Sequence, residues 1–532
     1  MSAPDRVAIY DTTLRDGMQR EGLSLSAGEQ LAIAVRLAEL GIDYLEAGFP
    51  ASNPKYGELF DLLAREDLGD TRVAAFGMTR RRDVVASDDP AVRGLAECFA
   101  PVITVVGKTW DLHLEKVTKV GRPENLAMIG ETVAFLLSEG KEVVYDAEHF
   151  FDAYRAHPDY ALDCLRAAHA AGAAWLVMCD TNGATLPDEV SRIAGEVRAA
   201  LPDAALGIHT HNDAECAVAN TLAAVAQGAR QVQGTINGYG ERCGNANLVS
   251  IIPALTLKMG LETLPPEQMG ELTAVSNFVS ETANLQPDAW APYVGRNAFS
   301  HKGGMHVAGM LADERTFEHI DPRLVGNDRN MLVSELSGRG TIVAKARELG
   351  AGDLESDPEM VARVLGRLKE LEHRGYHFEV ADGSFELLVE RELGTYEPLF
   401  GLESFRVITE KRADGEVETE ATVKLTHKGE RLVATGEGNG PVNALDLAVR
   451  AALAGRVPEL ERIELVNFKV RILDESQGTE AVTRVLIESS DGHQSWGAIG
   501  VSENVIEASW EALLDSLEHG VRRLSKTPAP AA

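Results

Sequence analysis

Between residue 7 and about residue 260 the chain alternates short apolar runs with amphipathic stretches, and it does so eight times. The apolar runs are Val7–Tyr10, Tyr44–Phe49, Arg72–Phe76, Phe99–Val106, Glu142–Ala147, Trp175–Asp180, Leu206–Thr210 and Gln231–Ile236. Runs of this length, each followed by a helical pattern, are the signature of parallel strands covered by helices. Eight such units in this length suit a closed (β/α)8 TIM barrel. A doubly wound open sheet is the other arrangement that the periodicity allows, because periodicity defines the units and not their closure. The first helix illustrates the agreement of local signals. Ser26 and Glu29 have capping-box spacing, Ile33, Leu37 and Leu40 share one face, and Gly41 can end the helix.

A chain of 532 residues exceeds what one hydrophobic core usually serves, so at least one further domain is expected. The 82 acidic and 51 basic residues give a formal charge of -31, which opposes non-specific binding to nucleic acid or anionic lipid. An anionic substrate must then meet a local basic patch. The N-terminus, Met1-Ser2-Ala3-Pro4-Asp5, has no basic region followed by an apolar run, and no stretch is apolar and long enough to span a bilayer, so a cytoplasmic protein without membrane association is expected. Cys98, Cys164, Cys179, Cys216 and Cys243 are scattered without C-x-x-C spacing, which indicates neither a disulfide framework nor a zinc ribbon; most are expected to be buried thiols.

In such a barrel the chemistry sits where strands end. Strand one runs into Asp11-Thr12-Thr13-Leu14-Arg15-Asp16-Gly17, strand two holds Glu46, and strand five leads to Asp146-Ala147-Glu148-His149. Strand six ends in Asp180-Thr181, strand seven in His209-Thr210-His211-Asn212-Asp213, and strand eight in the Asn237–Asn245 segment. Alternate strand residues face one way, so His209 and His211 can both point into the barrel mouth. With oxygen ligands from Asp16 and Asn245 they would make a mixed N/O site for a hard or borderline divalent cation. Taken alone, H-x-H is more often a pair of ordinary histidines; it gains weight from the acidic and amide groups on the same rim. Arg15 can face a carboxylate or oxyanion, or form a structural ion pair with Glu46, and both can hold. Asp180 and Thr181 can be a helix cap and turn as well as a substrate contact.

Together these residues resemble the DRE-TIM metallolyase superfamily, and within it the Claisen-condensing branch of 2-isopropylmalate, homocitrate and citramalate synthases. The resemblance rests on Asp11–Gly17, Glu46–Pro50, His209–Asp213, Gly240–Asn245 and Phe299–His306. It implies metal ligation by Asp16, His209, His211 and Asn245, with Mn, Mg, Zn or Co as the cation. It implies catalytic roles for Arg15, Glu46, Glu148 and His306, and substrate binding by Arg15 and Thr181. Acetyl-CoA and a 2-oxo acid are the implied substrates. The Tyr145–Asp152 segment is most similar to citramalate synthases, which implies pyruvate as the oxo acid and isoleucine biosynthesis as the setting. The alternative is 2-oxoisovalerate, as in the 2-isopropylmalate synthases of leucine biosynthesis. A lyase of the same barrel, such as hydroxymethylglutaryl-CoA lyase, fits less well with the Gly240–Asn245 segment and with a C-terminal domain. A catalytically inactive, metal-binding amino-acid sensor is the reading from a different class. One departure stands out: where many relatives have a tyrosine after the His306 segment, the nearest counterpart here is Phe317. His301 competes with His306 in the same segment.

The domains expected are a catalytic barrel at 1–268, helical linker subdomains at 269–400 and an α+β regulatory domain of the LeuA dimerisation type at 401–532. The linker, with breaks around Gly350–Asp357 and Ala381–Ser384, should hang His306 over the barrel mouth, from its own or a neighbouring subunit. From about residue 402 two similar halves follow. The first runs Phe405–Lys411, Ala421–Thr426 and Arg431–Thr435, then a helix with Val442, Leu445, Val449 and Leu453 on one face. The second runs Ile463–Leu473, Thr483–Ile487 and Ser495–Val501, then a helix through Trp510 and Leu514. The Gly436–Gly440 loop lacks the Lys-Ser/Thr of a phosphate-binding loop and reads as a strand-to-helix turn. The resemblance extends to this repeat and implies a homodimer with isoleucine as feedback inhibitor.

Overall fold

The computed structural model of the chain describes residues 5–50, 54–331, 339–348, 357–473, 481–492 and 494–526. Except for Asp5 and Asp357, the N-terminal Met1–Asp5 segment and the expected break at Gly350–Asp357 lie outside the described residues. The described residues divide into two compact units: one reaches Phe299 and takes in Ile320–Arg329, and the other takes in Ser300–His319 and the chain from Asn330 onward.

In the first unit the strands β1 (Ala8–Asp11), β2 (Tyr44–Gly48), β3 (Arg72–Met78), β4 (Val102–Lys108), β5 (Glu142–Glu148), β6 (Trp175–Asp180), β7 (Leu206–Thr210) and β8 (Gln231–Gly234) form a closed barrel. All pairings are parallel, and β1 closes on β8 through Ala8↔Gln231 to Asp11↔Gly234. The open-sheet alternative is thereby excluded. Two boundaries differ from the sequence reading for local reasons. β4 begins after Pro101, whose carbonyl accepts the Glu142 amide at 3.0 Å, and it continues past the apolar run to Lys108. β8 stops at Gly234 because the chain then leaves the sheet: the Ile236 amide donates to Thr13 Oγ1 at 2.9 Å, and Asn237 turns to φ 62°.

The lumen is packed. Tyr10, Tyr44, Ala74, Val102, Val144, Val177 and Cys179, contributed by β1 to β6, form one buried cluster. Around the strands a larger apolar core joins them to the helices, including Ile33, Leu37 and Leu40 of helix Ala27–Leu40. That helix has the capping box in full, with Glu29 N donating to Ser26 Oγ and Ser26 N to the Glu29 carboxylate, and it ends on Gly41 at φ 85°. Tyr44, Arg72, Glu142 and Trp175 tie the N-terminal end of the barrel together: Tyr44 donates to Glu142 at 3.0 Å and Trp175 to Tyr44 at 3.3 Å. The polar groups of the other end are therefore available for function.

In the second unit, strand Ser300–His301 and helix Gly304–Ala312 group with helices Pro358–His373 and Asp382–Leu393 and with two antiparallel three-stranded sheets. Ala381 does mark a break, standing between a short 3-10 turn and helix Asp382–Leu393. The sheets are Gly401–Lys411, Val417–His427, Glu430–Gly438 and Glu464–Ile472, Thr483–Ser490, Ser495–Ser502. Each leads into a helix, Pro441–Leu453 and Val505–Lys526, so the repeat is structural. Both repeats use a glycine to let strand and helix touch. A Cβ on Gly436 would meet Ala448 N at 2.5 Å, and one on Gly500 would meet Ala508 O at 2.0 Å. The Gly436–Gly440 segment is thus a strand-to-helix passage, as its sequence suggested. No helix among the described residues is long and apolar enough to cross a membrane.

Candidate active site and metal centre

At the C-terminal end of the barrel Asp16, His209 and His211 converge, each buried, with ligand atoms all within 4.8 Å of one another. Asp16 Oδ2 lies 3.3 Å from His209 Nε2 and 3.8 Å from His211 Nε2. The two Nε2 atoms are 3.2 Å apart. His209 Nδ1 meets Gln233 Oε1 at 2.9 Å, and Gln233 Nε2 donates to Asp146 Oδ1 at 3.0 Å. An amide that presents its oxygen to Nδ1 fixes the proton there and leaves the Nε2 lone pair facing Asp16. Burial and the neighbouring His209 push His211 down to about 3, which keeps its ring neutral and able to ligate. Against the desolvation that burial imposes, the Arg15 guanidinium holds Asp16 below the usual carboxylate range.

Asn245 reaches this cluster through the backbone. His211 and Asn245 form an antiparallel bridge, Asn212 N donates to Gly244 O at 2.9 Å, and Ala246 N donates to Thr210 O at 2.9 Å. The turn requires glycine at 244, where φ is 95° and a Cβ would lie 2.0 Å from Gly238 O. Asn245 Oδ1 is buried and has no hydrogen-bond partner among the described residues. A buried carbonyl oxygen left unsatisfied is costly. On the residue bridged to His211 it would add an oxygen donor to the carboxylate and two imidazoles of Asp16, His209 and His211, a mixed N/O set of the kind that fits a divalent cation.

Arg15 forms the ion pair with Glu46 and also lines the cavity beside Asp16. Its Nε donates to Glu46 Oε2 at 2.5 Å, its Nη1 lies 3.4 Å from Asp16 Oδ2, and its guanidinium lies over the Phe76 ring at 4.0 Å. Glu46 is fully buried and also accepts from Tyr10 at 2.9 Å, so it orients Arg15 from outside the cavity that Arg15 lines. That cavity, about 270 Å³, is also lined by Asp16, Glu148, Thr181, His209, His211 and Lys108. Thr181 Oγ1 accepts the His149 amide at 2.9 Å, which leaves its own O–H to donate elsewhere. Asp180 is not a helix cap: it is buried and accepts from Thr185 Oγ1 at 2.7 Å, while helix Pro187–Ala200 starts uncapped by any side chain. Arg242 holds three loops together, with bidentate bonds to Asp213 at 2.7 and 3.0 Å and one to Thr181 O at 2.8 Å.

Cys164 and Cys179 are buried, Cys98 and Cys216 are partly so, and Cys243 is exposed on the Gly240–Asn245 loop.

The sequence led us to expect most of the five cysteines to be buried, and only Cys164 and Cys179 are.

Two residues of this site escaped the sequence reading. Lys108 ends β4 directly opposite Glu148 in the β4–β5 register and forms an ion pair with it. Gln233, the support of His209, sits inside the apolar run of strand eight, where a polar residue was the available signal. His306 belongs to the second unit, on helix Gly304–Ala312, exposed and stacked on Phe317 with ring centroids 4.4 Å apart. His301 in the same segment is buried and pairs with Glu318 at 3.3 Å.

The HMGL-like family model matches residues 6–279, a homocitrate synthase post-HMGL domain-like model matches 293–376, and a LeuA allosteric (dimerisation) domain model matches 379–521. An (R)-citramalate synthase of Aquifex aeolicus is 49% identical over 96% of this chain and 97% of its own length. The chain belongs to the citramalate synthase family. An (R)-citramalate synthase of Geobacter sulfurreducens is likewise 49% identical, over 97% of this chain and 98% of its own. A 2-isopropylmalate synthase of Prochlorococcus marinus is more distant from this citramalate synthase family member, at 34% over 97% of this chain and 94% of its own.

Proposed function

We propose that the chain condenses acetyl-CoA with pyruvate and water to give (R)-citramalate and CoA, as a step of isoleucine biosynthesis. The observation that carries this reading is one cavity lined together by Arg15, Asp16, His209, His211, Glu148 and Lys108. Asp16, His209, His211 and Asn245 would hold a divalent cation, Mn, Mg, Zn or Co, which when bound supplies Lewis-acid polarisation of a ketone oxygen. Arg15, held by Glu46, donates to the oxo acid and to the negative charge that develops on its ketone oxygen. Thr181 donates its free hydroxyl hydrogen to the oxo-acid carboxylate. Glu148 takes a proton from the acetyl methyl, whose carbon then bonds to C2 of pyruvate. The new alkoxide is protonated, and water cleaves the thioester to carboxylate and CoA thiol. His306 is the other candidate for the proton transfers.

The match to a LeuA allosteric (dimerisation) domain supports a homodimer under allosteric control, and isoleucine, the end product of the pathway proposed here, would be its feedback inhibitor. Five free cysteines suit a reducing cytoplasm. Thiol release from acetyl-CoA, measured with pyruvate and with 2-oxoisovalerate and with isoleucine or leucine added, tests the reading. Pyruvate should be preferred and isoleucine should inhibit. A preference for 2-oxoisovalerate would replace the proposal with a 2-isopropylmalate synthase.

A further inference from the structure

β5 ends at Glu148, and the next residue, His149, turns into the left-handed region at φ 54° and ψ 36° before helix Phe150–Ala156 begins. A side chain with a Cβ is uncommon in that conformation, and such outliers gather at functional sites. The turn sends the His149 amide across to the end of β6, where it donates to Thr181 Oγ1 at 2.9 Å. The ring reaches the same place by a second route. It is buried edge-on against His113, with centroids 4.3 Å apart, and beside Trp110 at 5.7 Å, and its Nδ1 lies 3.4 Å from Asp152 Oδ2. Asp152 Oδ2 in turn accepts from Asn182 Nδ2 at 2.9 Å, and Asn182 follows Thr181 in the chain. Arg155 braces Asp152 from the same helix, its Nη1 donating to Oδ1 at 3.1 Å. Amide and ring thus close a circuit through His149, Asp152, Asn182 and Thr181 that joins the end of β5 to the end of β6.

We propose that His149 is a positioning residue: through this circuit it fixes where Glu148, the base, stands relative to Thr181, the contact for the oxo-acid carboxylate. The inference rests on the condensation proposed above. Glu148 and Thr181 both line the cavity and His149 does not, so the imidazole acts through them. The sheet alone leaves their separation open, because β5 pairs with β6 only as far as Ala147↔Met178 and stops before both residues. Lys108 holds Glu148 on its β4 side, and the circuit supplies the tie on the other. Joining two carbons requires the base at the acetyl methyl and the anchored acceptor to be in register, and a misplacement of about 1 Å can cost roughly a hundredfold in rate. Glycine would take the turn at 149 without strain, but it would leave Asp152 and Asn182 without the ring.

The test compares the full-length chain, loaded with manganese, with His149→Gly, which keeps the turn and removes the ring, and with Asn182→Ala, which opens the circuit at an exposed residue. Thermal midpoint and metal content are measured first, so that kinetics are read per folded, loaded molecule. His149→Gly should lower kcat by about tenfold to a hundredfold and raise KM for pyruvate by about fivefold or more, while KM for acetyl-CoA moves by less than about twofold. Asn182→Ala should raise KM for pyruvate by about threefold, and His149→Asn, which tolerates the left-handed turn and offers Asp152 an amide, should recover part of the loss. Calorimetric titration with pyruvate should show the same loss of affinity without reliance on turnover. Values of kcat and pyruvate affinity within about twofold of the unaltered chain in both His149→Gly and Asn182→Ala overturn the assignment, and where His149→Gly fails to fold, Asn182→Ala decides it by the same limit. If the unaltered chain binds pyruvate yet releases no thiol with any oxo acid, the condensation reading falls, while lost pyruvate affinity in the variants upholds the tie to Thr181. An unaltered chain that neither binds pyruvate nor releases thiol overturns both.

Discussion

Gln233 stands behind His209, accepting from its Nδ1 at 2.9 Å while donating to Asp146 at 3.0 Å. The glutamine thus selects the imidazole tautomer and aims Nε2 at Asp16. Replacing it with leucine removes the acceptor without adding charge. Gln233→Leu should weaken metal affinity by about 10 to 100-fold, measured by titration of the metal-free protein. An unaltered affinity would leave Gln233 a packing residue only.

Glu148 and Lys108 face each other across the β4–β5 register. If Glu148 is the base, Glu148→Gln should lower kcat by roughly 10² to 10⁴ with metal content intact. Lys108→Met should cost about tenfold through misdirection of the carboxylate, with Lys108→Arg recovering part of it. Normal turnover by Glu148→Gln would pass the role to His306, which His306→Asn then examines.

Asp11 offers a pH signature. Burial pushes its carboxyl from 3.8 up to about 7, against the hydrogen bonds from Thr13 N and Oγ1. Between about pH 4 and pH 7 the folded chain keeps a proton that the unfolded chain has released, so this group's contribution to stability falls as pH rises through that window and is level above it. The difference in urea midpoint between the chain and Asp11→Asn should follow that course. A difference independent of pH would show that Asp11 is ionised when folded.

Gly500 lies so close to helix Val505–Lys526 that a Cβ would sit 2.0 Å from Ala508 O. Gly500→Ala must push strand and helix apart and should destabilise the second unit by about 1–3 kcal/mol. Faster hydrogen exchange in that helix, with exchange in β1–β8 unchanged, is the expected result.

The barrel was legible because its eight strand runs and the caps between them are local signals, and Ser26–Glu29 and Gly41 stand where the sequence put them. The rim was legible too, since Arg15, Asp16, His209 and His211 each interrupt an apolar run at its end. Lys108 was missed for the converse reason: apolarity ceases at Val106, while hydrogen bonding carries β4 two residues further. The bond from Gln233 to His209 spans 24 residues, and no periodicity reports a contact of that separation. Closeness of strand to helix at Gly436 and Gly500 is likewise a tertiary fact, for which the glycines were the only trace.

Arg15 allows the sharpest substitution. Its guanidinium bonds Glu46 through Nε, lies over Phe76 at 4.0 Å, and still borders the cavity beside Asp16. A lysine keeps the charge but has neither the Nε–H that Glu46 holds nor a plane to stack on Phe76. Its ammonium would be drawn toward Glu46 and away from the developing oxyanion. Arg15→Lys should therefore lower kcat by about 10² to 10³, the usual loss on removing a preorganised donor, while thermal stability changes little. Equal activity would mean that positive charge alone suffices at this position, and that the Arg15–Glu46 pair serves the fold.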